Sequence, residues 1–109
     1  MSYDLRLMSE GGALDLDRAR AALAGAEQAG DELYWERDAL TASFLLTATE
    51  IGVGVSGEDA PRAERARDFE ELLGAVLDLA EQLGARVHDP QLGRDVGRED
   101  VPASVAFFA

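Results

Sequence analysis

From residue 61 to residue 83 the apolar side chains Phe69, Leu72, Leu73, Val76, Leu79, Ala80 and Leu83 recur at spacings of three and four. That is the helical period, and it draws one continuous apolar stripe, while Glu64, Arg67, Glu71, Asp78 and Glu81 take the opposite face. Proline is tolerated in a first helical turn and glycine favoured just past a last one, so Asp59-Ala60-Pro61 opens this helix and Gly84 ends it. At ~1.5 Å per residue the helix is roughly 35 Å long, enough to cross a whole small sheet and act as the lid of its core. A chain of 109 residues has length for one domain and one core.

Strands to build that sheet are legible on both sides of the helix. Tyr3, Leu5 and Leu7 alternate with Asp4 and Arg6, the period-two pattern of a half-buried strand. After Glu10-Gly11-Gly12, Asp15 or Asp17 caps a helix with Leu16, Ala19, Leu23 and Ala26 on one face, and Gly30 is expected as the left-handed residue after its last turn. Alternation returns from Leu33 to Asp38, where Leu33, Trp35 and Arg37 oppose Tyr34, Glu36 and Asp38. The stretch from Thr41 to Ser56 reads as one long strand or a hairpin turning around Ala48-Thr49-Glu50. The hairpin is preferred, because common strands hold about five or six residues. Gly52 and Gly54 leave one face of the second arm without side chains, where a backbone, ligand or bulge can come close; a helix covering that face is the simpler expectation. Ala85 to His88 forms a closing strand before the turn-rich Asp89-Pro90-Gln91-Leu92-Gly93-Arg94, and residues 95–109 are expected as an extended C-terminal arm. The order matches the split β-α-β plan, so the expected fold class is α+β: a ferredoxin-like antiparallel sheet with two helices packed on one face.

Charge narrows the partners. Twenty-two Asp and Glu stand against 10 basic residues, every one an arginine, for a net charge of −12. The excess is −6 in residues 1–54 and −6 in residues 55–109, so it belongs to the folded surface. Nucleic acid and anionic membranes would repel such a chain. No cysteine is present, which removes thiol nucleophiles, disulfides and thiolate metal sites, and His88 is the single histidine. A cytoplasmic location is expected, since Met1 to Arg6 carries charges where a secretory signal needs an apolar run and nowhere do about 18 apolar residues follow one another.

No cofactor motif emerges. Gly52-Val53-Gly54 does not lead directly into a helix as a phosphate loop does. Asp15/Asp17, Glu70/Glu71 and Glu99/Asp100 lack the spacing of a calcium loop, so no metal is expected. His88 beside Asp89 is the one place where a general base adjoins a carboxylate. Asp89-Pro90-Gln91 itself reads as a turn, with the carboxylate accepting from backbone amides. Tyr34 and Trp35 offer a recognition platform if exposed, although strand aromatics usually pack inward.

The opening Met1-Ser2-Tyr3-Asp4-Leu5, the strand Phe44-Leu45-Leu46-Thr47 and the run from Leu83-Gly84-Ala85 through His88-Asp89-Pro90-Gln91-Leu92-Gly93-Arg94 together resemble small bacterial proteins of mostly unknown function. Among these are SitI-like immunity proteins of polymorphic toxin systems. The likeness spans residues 2 to 94 and transfers no catalytic residue. It implies a compact α+β domain, encoded beside a toxin, that works by binding. His88 stands where an aromatic often precedes Asp-Pro-Gln in that pattern.

Two functional expectations follow. The first is a non-enzymatic acidic domain binding a basic protein such as a toxin domain, with Tyr34, Trp35, Phe107 and Phe108 as anchors and Glu64, Glu71 and Glu81 as blockers of a basic site. The second is a ferredoxin-like homodimer that binds or converts a small ligand without a cofactor, using His88, Asp89, Gln91 and Arg94.

Overall fold

Tyr3, Leu5 and Leu7 do turn one way: in the computed structural model, which describes residues 2–109, they are buried along β1 (Ser2–Ser9) while Asp4 and Arg6 stay exposed. Asp15 then caps α1 (Leu16–Ala22), its carboxylate accepting from the Arg18 amide at 3.0 Å. This helix is shorter than expected. The run Gly25-Ala26-Glu27-Gln28-Ala29 has no apolar stripe to bury, and its last three residues instead pair with the following strand. Gly30 accordingly sits, at φ 64°, in the turn between β2 (Glu27–Ala29) and β3 (Glu32–Glu36) rather than at a helix end.

The β-rich stretch is a hairpin, β4 (Leu40–Leu46) against β5 (Glu50–Gly57), in the register Leu46 opposite Ile51 and Leu40 opposite Gly57. Its turn is tied by the Thr47 hydroxyl, which donates to the Glu50 carbonyl at 2.7 Å and accepts from the Glu50 amide at 3.2 Å. The long helix is α2 (Arg62–Leu83), entered through Pro61 and stopped by Gly84 at φ 63°, the left-handed conformation that glycine adopts without strain. β6 (Ala85–Asp89) follows it.

Residues 95–109 are not an extended arm. They complete β7 (Arg94–Val96), pass a 3-10 turn at Arg98–Asp100, and form α3 (Val101–Phe108). Phe108 is fully buried, stacked on Phe69 of α2 at 4.4 Å, because a C-terminal run with this much apolar surface gains by docking.

The fold is therefore α+β, with, among the described residues, a seven-stranded antiparallel sheet of order β2-β3-β4-β5-β1-β6-β7 and three helices. One sheet face holds the core: Tyr3, Leu5, Phe44, Ile51, Val53 and Val87 form a single cluster with Phe69, Leu72, Leu73 and Val76 of α2, Ala19 of α1 and Phe108 of α3. The other face carries Asp4, Arg6, Ser43, Leu45, Gly52, Gly54 and His88. Contrary to the simpler expectation, no helix among the described residues covers the glycines there; a Cβ built on Gly52 would meet nothing within 4 Å.

Candidate functional site

His88 and Asp89 do not form a catalytic pair. Successive strand residues point to opposite faces, so Asp89 enters the core, fully buried, while His88 lies on the open face. The carboxylate near His88 is Asp95, its cross-strand neighbour on β7, with Nδ1 to Oδ1 at 3.0 Å. Asp95 is shared with Arg86 at 3.8 Å.

Asp89 is a structural hub. Its Oδ2 accepts from the Tyr3 hydroxyl and from Ser104 Oγ (3.1 Å), and its Oδ1 accepts from the Gln91 amide (3.0 Å), Gln91 Nε2 (2.8 Å) and the Leu92 amide (3.2 Å). A buried carboxylate is tolerable only when satisfied in this way. Burial, then the neighbouring Asp89, raises the Tyr3 phenol above its ordinary pKa. Gln91 extends the same logic. Pro90 cannot donate to the sheet ladder, and the Gln91 side chain takes over, donating Nε2 to the Asp4 carbonyl at 2.7 Å and accepting the Asp4 amide on Oε1 at 2.8 Å. The Tyr3-Asp4 and Asp89-Pro90-Gln91 segments, 86 or more residues apart, thus satisfy one another. Arg94 pairs with Asp100 at 2.9 Å. The structure does not gather His88, Asp89, Gln91 and Arg94 into one pocket, and none of them lines the surface concavities of about 410, 210 and 360 Å³.

The expected anchors divide as well. Trp35 is 9% exposed on the core face with the Arg37 guanidinium 3.6 Å from its ring centroid, and Phe108 is fully buried, so neither reaches a partner. Phe107 remains 55% exposed, edge-on to Tyr3 at 5.7 Å. Tyr34 stands half-buried on the open face, its hydroxyl donating to Glu32, which raises its pKa. Glu71 is paired with Arg37 at 3.1 Å and Glu81 with Arg98 at 3.1 Å, whereas Glu64 has no arginine partner among the described residues.

What sequence reasoning missed is the open face as a concave surface. The 410 Å³ concavity lies there, floored by Gly52 and Gly54 of β5 and lined by Ser43 and Leu45 of β4, by Asp4 and Arg6 of β1, and by Pro90. The paired glycines were the signal available for it. Across the same face, cross-strand register puts Glu27 beside Tyr34 and Glu32 beside Leu45, with Glu36 next to Thr41. Among the described residues Asp4, Glu27, Glu32 and Glu36 pair with no arginine, while Arg6 meets Glu50 at 3.7 Å. Comparison with protein-family models, curated proteins and solved structures finds no match.

Proposed function

We propose that this chain is a non-enzymatic protein-binding domain that neutralises or regulates a basic protein, a toxin domain for which it serves as immunity protein being the specific form of that partner. The observation that carries the reading is the open sheet face, where, among the described residues, Asp4, Glu27, Glu32, Glu36, Glu50 and Asp95 stand against Arg6 and Arg86. The opposite face is filled, and among the described residues no buried side-chain nitrogen or oxygen lacks a hydrogen bond, so the interior holds no polar group waiting for a ligand. Surface carboxylates of this kind steer a cationic partner and speed its association. A cytoplasmic place of action fits this reading, and no helix among the described residues is long and apolar enough to cross a membrane.

The strand order β4-β5-β1-β6, with α2 carrying the chain from β5 to β6 on either side of β1, supports a ferredoxin-like core with the helices on its inner face. The β2–β3 hairpin, β7 and α3 are then additions at its edges. Homodimerisation has less support. With Phe108 buried the expected contact shrinks to the Phe107 ring, and two acidic faces repel.

The test is co-purification of a partner from the native host, then association kinetics with the purified pair over rising salt. The rate is expected to fall by about tenfold or more as steering is screened. A rate indifferent to ionic strength overturns the reading.

A further inference from the structure

Gly52 and Gly54 have no folding reason to be glycine that matches their cost to a strand. Neither has a positive φ, and a Cβ on Gly52 would meet only open space. At Gly54 the added atom would touch the Ser43 hydroxyl at 3.2 Å, a group that can turn away. What the glycines do create is a trough two strand spacings wide, about 9.5 Å between the β4 and β1 ridges, whose floor is bare peptide.

The two ends of that trough differ. Toward Gly52 the wall is Leu45, an apolar side chain that is 46% exposed. Toward Gly54 stand Ser43 and the Asp4 carboxylate, the latter 4.0 Å from the position of a Gly54 Cβ and without an arginine partner. Arg6 is drawn off toward Glu50 at 3.7 Å. We propose that this trough seats an arginine-bearing extended segment of a protein partner, the guanidinium lying over the Gly54 peptide against Asp4 and Ser43 and its methylene stem crossing Leu45. This rests on the basic-partner reading and adds its point of contact. A planar guanidinium suits a flat peptide floor and a carboxylate wall, and its apolar stem suits Leu45; a lysine ammonium answers the charge but not the plane. An acidic segment meets Asp4, Glu32 and Glu36 with like charge.

The probe is the capped peptide acetyl-Thr-Arg-Thr-Arg-Thr-amide, with lysine and glutamate counterparts, titrated into the whole chain while backbone amide NMR shifts are followed. The arginine peptide is expected to move the amides of Gly52, Gly54, Ser43 and Leu45, the lysine peptide to do so more weakly, and the glutamate peptide not at all. Gly52→Val, whose Cβ would meet nothing within 4 Å, puts side-chain atoms into the trough and is expected to weaken binding by tenfold or more. Asp4→Asn, whose backbone bonds to Gln91 are untouched, serves as a second variant and is expected to weaken it several-fold and to flatten its salt dependence. Shifts confined to the helix faces, or a Gly52→Val chain that binds the peptide as the native one does, overturn the proposal. A natural basic partner whose salt-dependent association is unaltered by Gly52→Val overturns the trough alone and leaves the basic-partner reading standing.

Discussion

Replacing Asp89 tests whether the hub at the end of β6 holds the sheet and α3 together. In Asp89→Ala the Tyr3 hydroxyl and Ser104 Oγ lose their acceptor, and both residues are buried, at 1% and 0% exposure. A buried donor left unpaired costs about 1–3 kcal/mol. The Gln91 and Leu92 donors are only part-buried, so water can satisfy them and they add less. The sum, about 3–5 kcal/mol, is a large part of the ~5–15 kcal/mol that holds a domain together. With a urea slope of ~1.5 kcal/mol per molar, the unfolding midpoint read from the single tryptophan, Trp35, should fall by about 2–3 M. Asp89→Asn is the discriminating control. Its remaining oxygen can serve the three N–H donors, and its NH2 can donate to the two hydroxyls, which also accept. Only the charge assistance is lost, about 1–2 kcal/mol. In a double-mutant cycle Tyr3→Phe should reduce the cost of Asp89→Ala by about 1 kcal/mol or more. Equal costs for the Asn and Ala variants, or no coupling to Tyr3, refute the hub.

Three other outcomes are expected. Phe108→Ala should cost about 3–5 kcal/mol of urea stability while Phe107→Ala, from a 55% exposed side chain, costs less than about 1, and similar losses would mean that α3 is not docked as described. Gly52→Val should leave stability unchanged or raise it by up to about 1 kcal/mol, since it adds a β-favouring side chain in open space; a clear loss would show that the glycine serves the fold. The Tyr3 phenol is raised by burial first and Asp89 second, so the folded chain keeps a proton the unfolded chain releases above about pH 10. That contribution is complete below about pH 10 and is lost as pH climbs toward the folded value, at ~1.4 kcal/mol per pH unit. Tyr3→Phe should remove this slope in alkaline melting curves, Tyr34 being common to both proteins, and parallel curves would refute it.

The parts of the fold legible in the sequence are those where one face is buried and the other wet. β1, the β4–β5 hairpin and α2 each combine burial with a clean period, and each lies where the pattern puts it. β2 has no such pattern, since Glu27, Gln28 and Ala29 are all exposed and its existence depends on the ladder to β3. α3 did carry a signal, Pro102 in the first turn of an eight-residue helix, but an apolar run that short does not by itself separate helix from arm. The opposed directions of His88 and Asp89 follow only once the closing strand is extended by one residue to Asp89, which the sequence places in the turn, and the pairing of Tyr3 with Asp89 and of Asp4 with Gln91 depends on a register between distant strands that no local pattern encodes.

That register also decides where carboxylates stand without an arginine partner. Seven of the ten arginines sit in ion pairs, Arg37 with Glu71, Arg67 with Asp68 and Arg98 with Asp78 and Glu81 among them, and all three tie down carboxylates of α2. The helix face that looked most suited to block a basic site is therefore partly neutralised at Glu71 and Glu81. Solubility depends on net charge and is indifferent to such an arrangement. A partner is not indifferent, because at a Debye length near 8 Å it responds to the charges nearest its own. On the sheet side Asp4 walls a floor of bare peptide and Glu27, Glu32 and Glu36 follow on β2 and β3 beyond β4, while Arg6 and Arg86 are each already within 4.0 Å of a carboxylate. Under the proposed reading, a cationic segment laid over β4 and β5 would meet Asp4 without an arginine partner, together with the exposed Leu45 and the two glycines that leave the peptide floor bare.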